Sequence, residues 1–207
     1  MLLAAAVIGS GIMGEQLAGG NLAIALLANT LATVAALATL IAWLGPVSGA
    51  HFNPVISLVE LAQGRLRRPQ AIGYLAVQIG GCCAGAMLAN AMFDLPIVQA
   101  STHARTGGAQ WLSEAVATAG LVMIALGCPS LRAAAWRVPA WIGAAYWFTA
   151  STSFANPAIT LGRSLSDTFA GIRPIDAPGF IAAQLAGGLI GALMARMLFG
   201  VRQGQSG

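Results

Sequence analysis

The sequence predicts an all-α membrane protein: a bundle of six transmembrane helices plus two re-entrant half-helices, built as an inverted repeat. Three observations predict it. The chain is 57% hydrophobic and only 8% charged, with a mean hydropathy of +0.78, too little polar surface for a soluble globule. Its apolar residues fall into six runs, and its second half repeats the first. At about 20 residues per span, 207 residues hold six crossings and leave no room for an extramembrane domain.

The runs lie near residues 1–20, 22–45, 70–93, 111–128, 138–151 and 178–199, each bounded by Gly, Pro or charged residues. The first has no charged leading segment and no small-residue cleavage site, so it reads as a mature span and not a signal peptide. It also begins directly in apolar sequence, whereas the fourth has the lead-in Trp111, Leu112, Ser113, Glu114. That contrast suggests further residues upstream of Met1.

All ten basic residues are arginine. Arg65, Arg67 and Arg68 follow the second run, Arg132 and Arg137 the fourth, and Arg202 the sixth, while Arg105, Arg163 and Arg173 fall on the opposite side. By the positive-inside rule the first set is cytoplasmic, and so are both termini of a multi-pass protein of the cell (inner) membrane. Arginines scattered over short connections make no nucleic-acid face. Cys82, Cys83 and Cys128 sit in apolar runs without ligand spacing and read as packing residues, so no metal is expected.

The repeat is the strongest structural signal. Residues 53–58 read NPVISL and residues 156–161 NPAITL; the spans after them align without a gap, placing Gln78 on Gln184, Gly81 on Gly187, Gly85 on Gly191 and Phe93 on Phe199. One transmembrane domain over 1–207 thus divides into repeats 1–93 and 111–199. Each half holds three spans, an odd number, so the second enters the membrane from the opposite side. The Gly81/Gly85 and Gly187/Gly191 pairs have the small-xxx-small spacing that lets helices approach closely in lipid.

Each Asn-Pro is followed by about ten helix-permitting residues, too few to cross a bilayer. Proline suits the first turn of a helix and asparagine caps its start, so Asn53, Pro54 and Val55, like Asn156, Pro157 and Ala158, place a helix N-terminus at the membrane centre. Backbone at that depth requires protein or a water-filled cavity to satisfy it, which implies a polar path. Carboxamides at Asn53 and Asn156 offer donors to a passing oxygen, and two facing N-termini repel cations.

SGAHFNPV and the paired FANPA, each between the second and third spans of its half, resemble the major intrinsic protein family of aquaporins and aquaglyceroporins, and the resemblance covers essentially the whole chain. It implies a right-handed bundle, one pore per subunit, a homotetramer in membrane lipid, and passage of small neutral solutes without cofactor, metal or catalysis. Val55 departs from the family's alanine and is expected to alter packing where the half-helices touch. The family's second, outer constriction maps by gapless counting onto Thr33, Ala144, Ser153 and Ile159, with Gly143 the alternative to Ala144 if one residue is inserted. Ile159 stands where the family normally has arginine, which predicts a wide, nearly uncharged outer ring suited to glycerol, urea or neutral metalloid hydroxides. The resemblance runs closest to a bacterial subgroup lacking that arginine and associated with arsenic resistance, implying arsenous acid or organic arsenicals as solutes.

Arg163 lies one turn beyond Ile159, either lending charge to the outer vestibule or turning to the interface or to Asp167. Glu114 matches a family glutamate that braces the half-helix loop. His51 either lines the inner vestibule or packs in its loop. Trp111, Trp136, Trp141 and Trp147 read as an aromatic belt. The rival class is an inverted-repeat transporter coupled to an ion gradient, which needs an ionisable group at the midplane. No nucleophile with a base and no nucleotide loop marks an enzyme.

Overall fold

The computed structural model describes residues 1–200. Its helices, in chain order, are α1 (Leu2–Leu17), α2 (Leu22–Ser48), α3 (Pro54–Ala62), α4 (Arg68–Met92), α5 (Gly108–Gly127), α6 (Leu131–Phe148), α7 (Pro157–Arg163) and α8 (Ala177–Phe199). No strand interrupts them among the described residues. Arg202, counted with the cytoplasmic arginines, lies outside that range.

Four helices, α2, α4, α5 and α8, are long and apolar enough to cross a membrane by length and composition alone. The remaining two full helices, α1 with 16 residues and α6 with 18, earn their place by packing: α1 against α2 and α4, α6 against α2 and α5. Helix α6 starts seven residues before the run read from the sequence. Ser130 caps it by accepting from the Ala133 N–H at 3.2 Å, so Arg132 and Arg137 ride in its first turns and not in a connection. Charge and Pro139 hid that start, yet Pro139 is held inside the helix.

The sequence repeat becomes a structural one, with α1 to α4 answered by α5 to α8. In each half the first and third long helices meet through the paired glycines. A methyl group at Gly81 or Gly85 would fall on the backbone of Met1, and one at Gly187 or Gly191 on the carbonyls of Ala115 or Ala119. Absence of Cβ is therefore what sets the approach of α4 to α1 and of α8 to α5. The half-helices cross over: α7 packs on α4 and α3 on α8, each leaning on the other half. Large apolar side chains such as Val77, Leu189, Leu193 and Met197 are left exposed on the outside, where lipid is their solvent.

The segments leading into α3 and α7 share a backbone conformation that sequence alignment alone does not reveal. Gly49, Ala50 and Phe52 have φ of 73°, 48° and 48°, and their counterparts Thr152, Ser153 and Ala155 have 59°, 49° and 48°. Left-handed backbone at a non-glycine residue costs on the order of 1 kcal/mol or more. The strain is thus written into both halves, at the same offsets from each asparagine.

Candidate pore and its constrictions

Asn53 and Asn156 cap their half-helices with side-chain oxygen. Oδ1 of Asn53 accepts from the Val55 N–H at 2.9 Å, and that of Asn156 from the Ala158 and Ile159 N–H groups at 3.0 and 3.2 Å. Pro54 and Pro157 occupy the first turn. Each Nδ2 then reaches across the repeat: Asn53 donates to the Ala155 carbonyl at 2.7 Å and Asn156 to the Phe52 carbonyl at 2.8 Å. A carboxamide has two N–H donors, so one from each remains for the cavity that both residues line. Val55 is buried, and its Cγ1 occupies the space a side chain at Gly188 would need. The bulk that replaces alanine is thereby accommodated on α8.

Behind the second motif lies Glu114, fully buried on α5. Its carboxylate accepts from the Phe154 and Ala155 N–H groups, both at 2.8 Å, from Ser151 Oγ at 2.6 Å and from Gln184 Nε2 at 2.6 Å. Four donors around one buried charge satisfy it and fix the strained lead-in. Gln184 also donates to Thr160 Oγ1 at 2.9 Å. The first half has the matching pair, Gln78 donating to Ser57 Oγ at 3.0 Å. His51 Nδ1 lies 3.0 Å from the same hydroxyl, and His51 lines the cavity, as does Glu60.

The cavity, about 320 Å³, passes both asparagines. Thr33, Ser153, Ile159 and Arg163 line it, all buried. Ala144 does not. It is exposed, and α6 lines the cavity with Leu131, Ala134, Val138, Ile142 and Tyr146. Two residues of helix rotate a side chain by about 200°, so counting back from Asn156 lands on the opposite face. Gly143, the alternative, abuts Val34. Tyr146 brings its hydroxyl to 3.4 Å from Thr33 Oγ1, an aromatic ring at the position expected to be small.

Arg163 is 2% exposed, neither at the interface nor paired with Asp167, which instead accepts from the Thr102 N–H and hydroxyl. Nε of Arg163 donates to the Ala170 carbonyl, and its guanidinium carbon sits 3.4 Å from the centre of the Phe154 ring. A second buried arginine escaped sequence reading. Arg105, from the connection between α4 and α5, donates to the carbonyls of Gly171, Ser151 and Phe169 and lies 5.1 Å from the same ring. Nothing in an aperiodic connection signals a buried side chain; only its being an arginine on the outer side marked it. Trp141 is also not a belt residue, since its Nε1 donates to the Ala117 carbonyl at 2.9 Å and its ring fills the space over Gly120.

Known proteins agree with this architecture. Residues 1–135 match the family described as Major intrinsic protein. The chain is 52% identical over 199 residues, 95% of its length and 85% of the relative's, to aquaglyceroporin AqpS of Rhizobium meliloti (strain 1021). It is 28% identical over 174 residues, 75% of each chain, to aquaporin Z of Brucella melitensis. The family match and these relatives make this a passive transmembrane channel for small uncharged solutes, not an enzyme. The chain belongs to the major intrinsic protein family.

Proposed function

We propose that the channel passes water together with small neutral polyhydroxylated solutes, glycerol and arsenous acid among them, down their gradients. The observation that carries this reading is the reciprocal bonding of Asn53 and Asn156 across the repeat, which leaves one amide donor of each for a solute oxygen at the middle of the cavity. Ile159 at the position after the second motif supports the larger solutes, as does the printed name of the Rhizobium relative, an aquaglyceroporin. On this reading Thr33, Ser153 and Ile159 form the outer ring, with Tyr146 in the place counted for Ala144, and the repeats 1–93 and 111–199 each supply one half of the pore. Four copies assemble as a homotetramer, which the family resemblance alone implies, in the cell (inner) membrane with both termini cytoplasmic, an orientation supported by the arginines at 65, 67 and 68.

Gradient-coupled transport is disfavoured by the state of the carboxylates. Glu114 is saturated by four donors, and Glu60 is paired with Arg65. The experiment is stopped-flow light scattering on proteoliposomes with water, glycerol and arsenous acid, comparing the wild type with Ile159→Arg. Passage of all three, with the two larger solutes suppressed by the arginine, is the expected result. Water passage alone, unchanged in the variant, would sink the reading, and uptake that responds to a proton gradient would replace it with a transporter.

A further inference from the structure

Glu114 holds the lead-in to α7 by its N–H groups; a second buried charge, of opposite sign, holds it by a carbonyl. Arg105, 7% exposed, gives each of its guanidinium nitrogens to a backbone oxygen: Nε to Gly171 at 2.7 Å, Nη2 to Phe169 at 3.2 Å and Nη1 to Ser151 at 3.3 Å. Its own backbone N–H donates to Asp176, the residue that opens α8, at 2.9 Å. One residue of the α4–α5 connection thereby joins the segment before α7, the segment after it, and α8.

Both tied segments bear on the cavity wall. Just past Ser151 come Ser153 and Phe154, which line the cavity, and the Phe154 ring lies 5.1 Å from the Arg105 guanidinium. Between Phe169 and Gly171 stands Ala170, whose carbonyl accepts from Arg163, another lining residue. Thr152, Ser153 and Ala155 have φ of 59°, 49° and 48°, a backbone that relaxes unless its surroundings fix it. The first half shows the same anchor point. Ser48, placed before Asn53 as Ser151 is before Asn156, has its carbonyl taken by the Tyr74 hydroxyl at 2.7 Å. Tyr74 holds one carbonyl and Arg105 three, because a phenol has one O–H to give and a guanidinium fork five N–H donors.

We infer that Arg105 is a positioning residue for selectivity: by clamping Ser151, Phe169 and Gly171 it fixes the cross-section of the cavity at Ser153, Phe154 and Arg163, and so the largest solute that passes. It acts without touching solute, since it stands behind the residues that line the cavity. The clamp sets the width of the pore whether or not the wild type conducts polyols.

Water and glycerol permeabilities of proteoliposomes holding the full chain test it, for the wild type, Arg105→Met and Arg105→Lys. Taken on the same vesicles, their ratio does not depend on how much of a variant folds. Methionine keeps the stem but leaves three carbonyls without a donor; the segments part, and the glycerol-to-water ratio rises about threefold, or glycerol passage appears where the wild type has none. Lysine, a point charge that cannot span three carbonyls, returns the ratio only partway. An unchanged or lowered ratio in Arg105→Met, whatever its unfolding midpoint, makes Arg105 a structural tie alone and overturns the clamp. Full restoration by lysine overturns it too, by assigning the effect to charge. Should Arg105→Met give no channel, Arg105→Lys decides: a ratio above that of the wild type supports the clamp, and an equal one sinks it. A wild type that passes water only overturns the polyol reading, and the clamp then stands or falls on whether Arg105→Met admits glycerol.

Discussion

Gln184 donates its side-chain amide to the carboxylate of Glu114 at 2.6 Å, wholly inside the bundle. The bond ties α8 to α5 behind the second half-helix, and the same carboxylate fixes the N–H groups of Phe154 and Ala155. Glu114→Gln keeps the shape but turns one acceptor oxygen into a donor among four converging donors. We predict a loss of about 3 kcal/mol, read as a lowered unfolding midpoint in detergent. An unchanged midpoint would mean that the lead-in amides find other acceptors.

Val55 and Gly188 share one space. Gly188→Ala overpacks it and is expected to cost about 1–3 kcal/mol. In the Val55→Ala background the same change should cost markedly less, because the blocking methyl is gone; this non-additivity is what a double-mutant cycle reads. Additive effects would show that Val55 shifts freely.

On the cavity wall the structure separates two residues of α6. Tyr146→Ala removes a ring from the cavity wall and should raise glycerol permeability several-fold, by analogy with clearing about one aromatic volume from a site. Ala144→Leu, on the exposed face, should leave both water and glycerol flux alone. The reverse pattern in proteoliposome assays would restore Ala144 to the pore.

His103, in the connection between α4 and α5, is held below its ordinary value of 6.5 by burial, then by the charges of Arg105 and Arg163. The unfolded chain therefore binds this proton more readily than the folded one, and stability rises with pH through the window below 6.5. Acidification from neutral to about pH 5 should lower the melting temperature less in His103→Gln than in the wild type. Equal losses in the two proteins would assign the pH dependence to other groups.

Helix number, the inverted repeat and the half-helices were legible because each rests on a pattern: long apolar runs, a gapless internal alignment, and Asn-Pro at a fixed place in it. What escaped was whatever rotation and burial decide. Ala144 was misplaced because a two-residue offset on a helix reverses the face, and the α6 start was late because Ser130, two arginines and Pro139 read as a boundary. Arg163 could be put one turn beyond Ile159 but not given partners, since its acceptor, Ala170, comes from a loop without periodicity. Arg105 had still less signal. Its three carbonyl partners exist only once the loops at 151 and 169–171 have folded around it.

The amide of Asn53 finds its acceptor 102 residues later in the chain, and that of Asn156 looks back 104. A nascent first half threaded into the bilayer therefore has its left-handed lead-in at Gly49 to Phe52 without the contact that closes it, and stays unfinished until α7 has entered from the other side. Contacts of such long sequence separation form late. Biosynthesis of this channel thus ends, and does not begin, with the closing of its centre: two fragments divided between residues 93 and 111 would reach the native state only when inserted together.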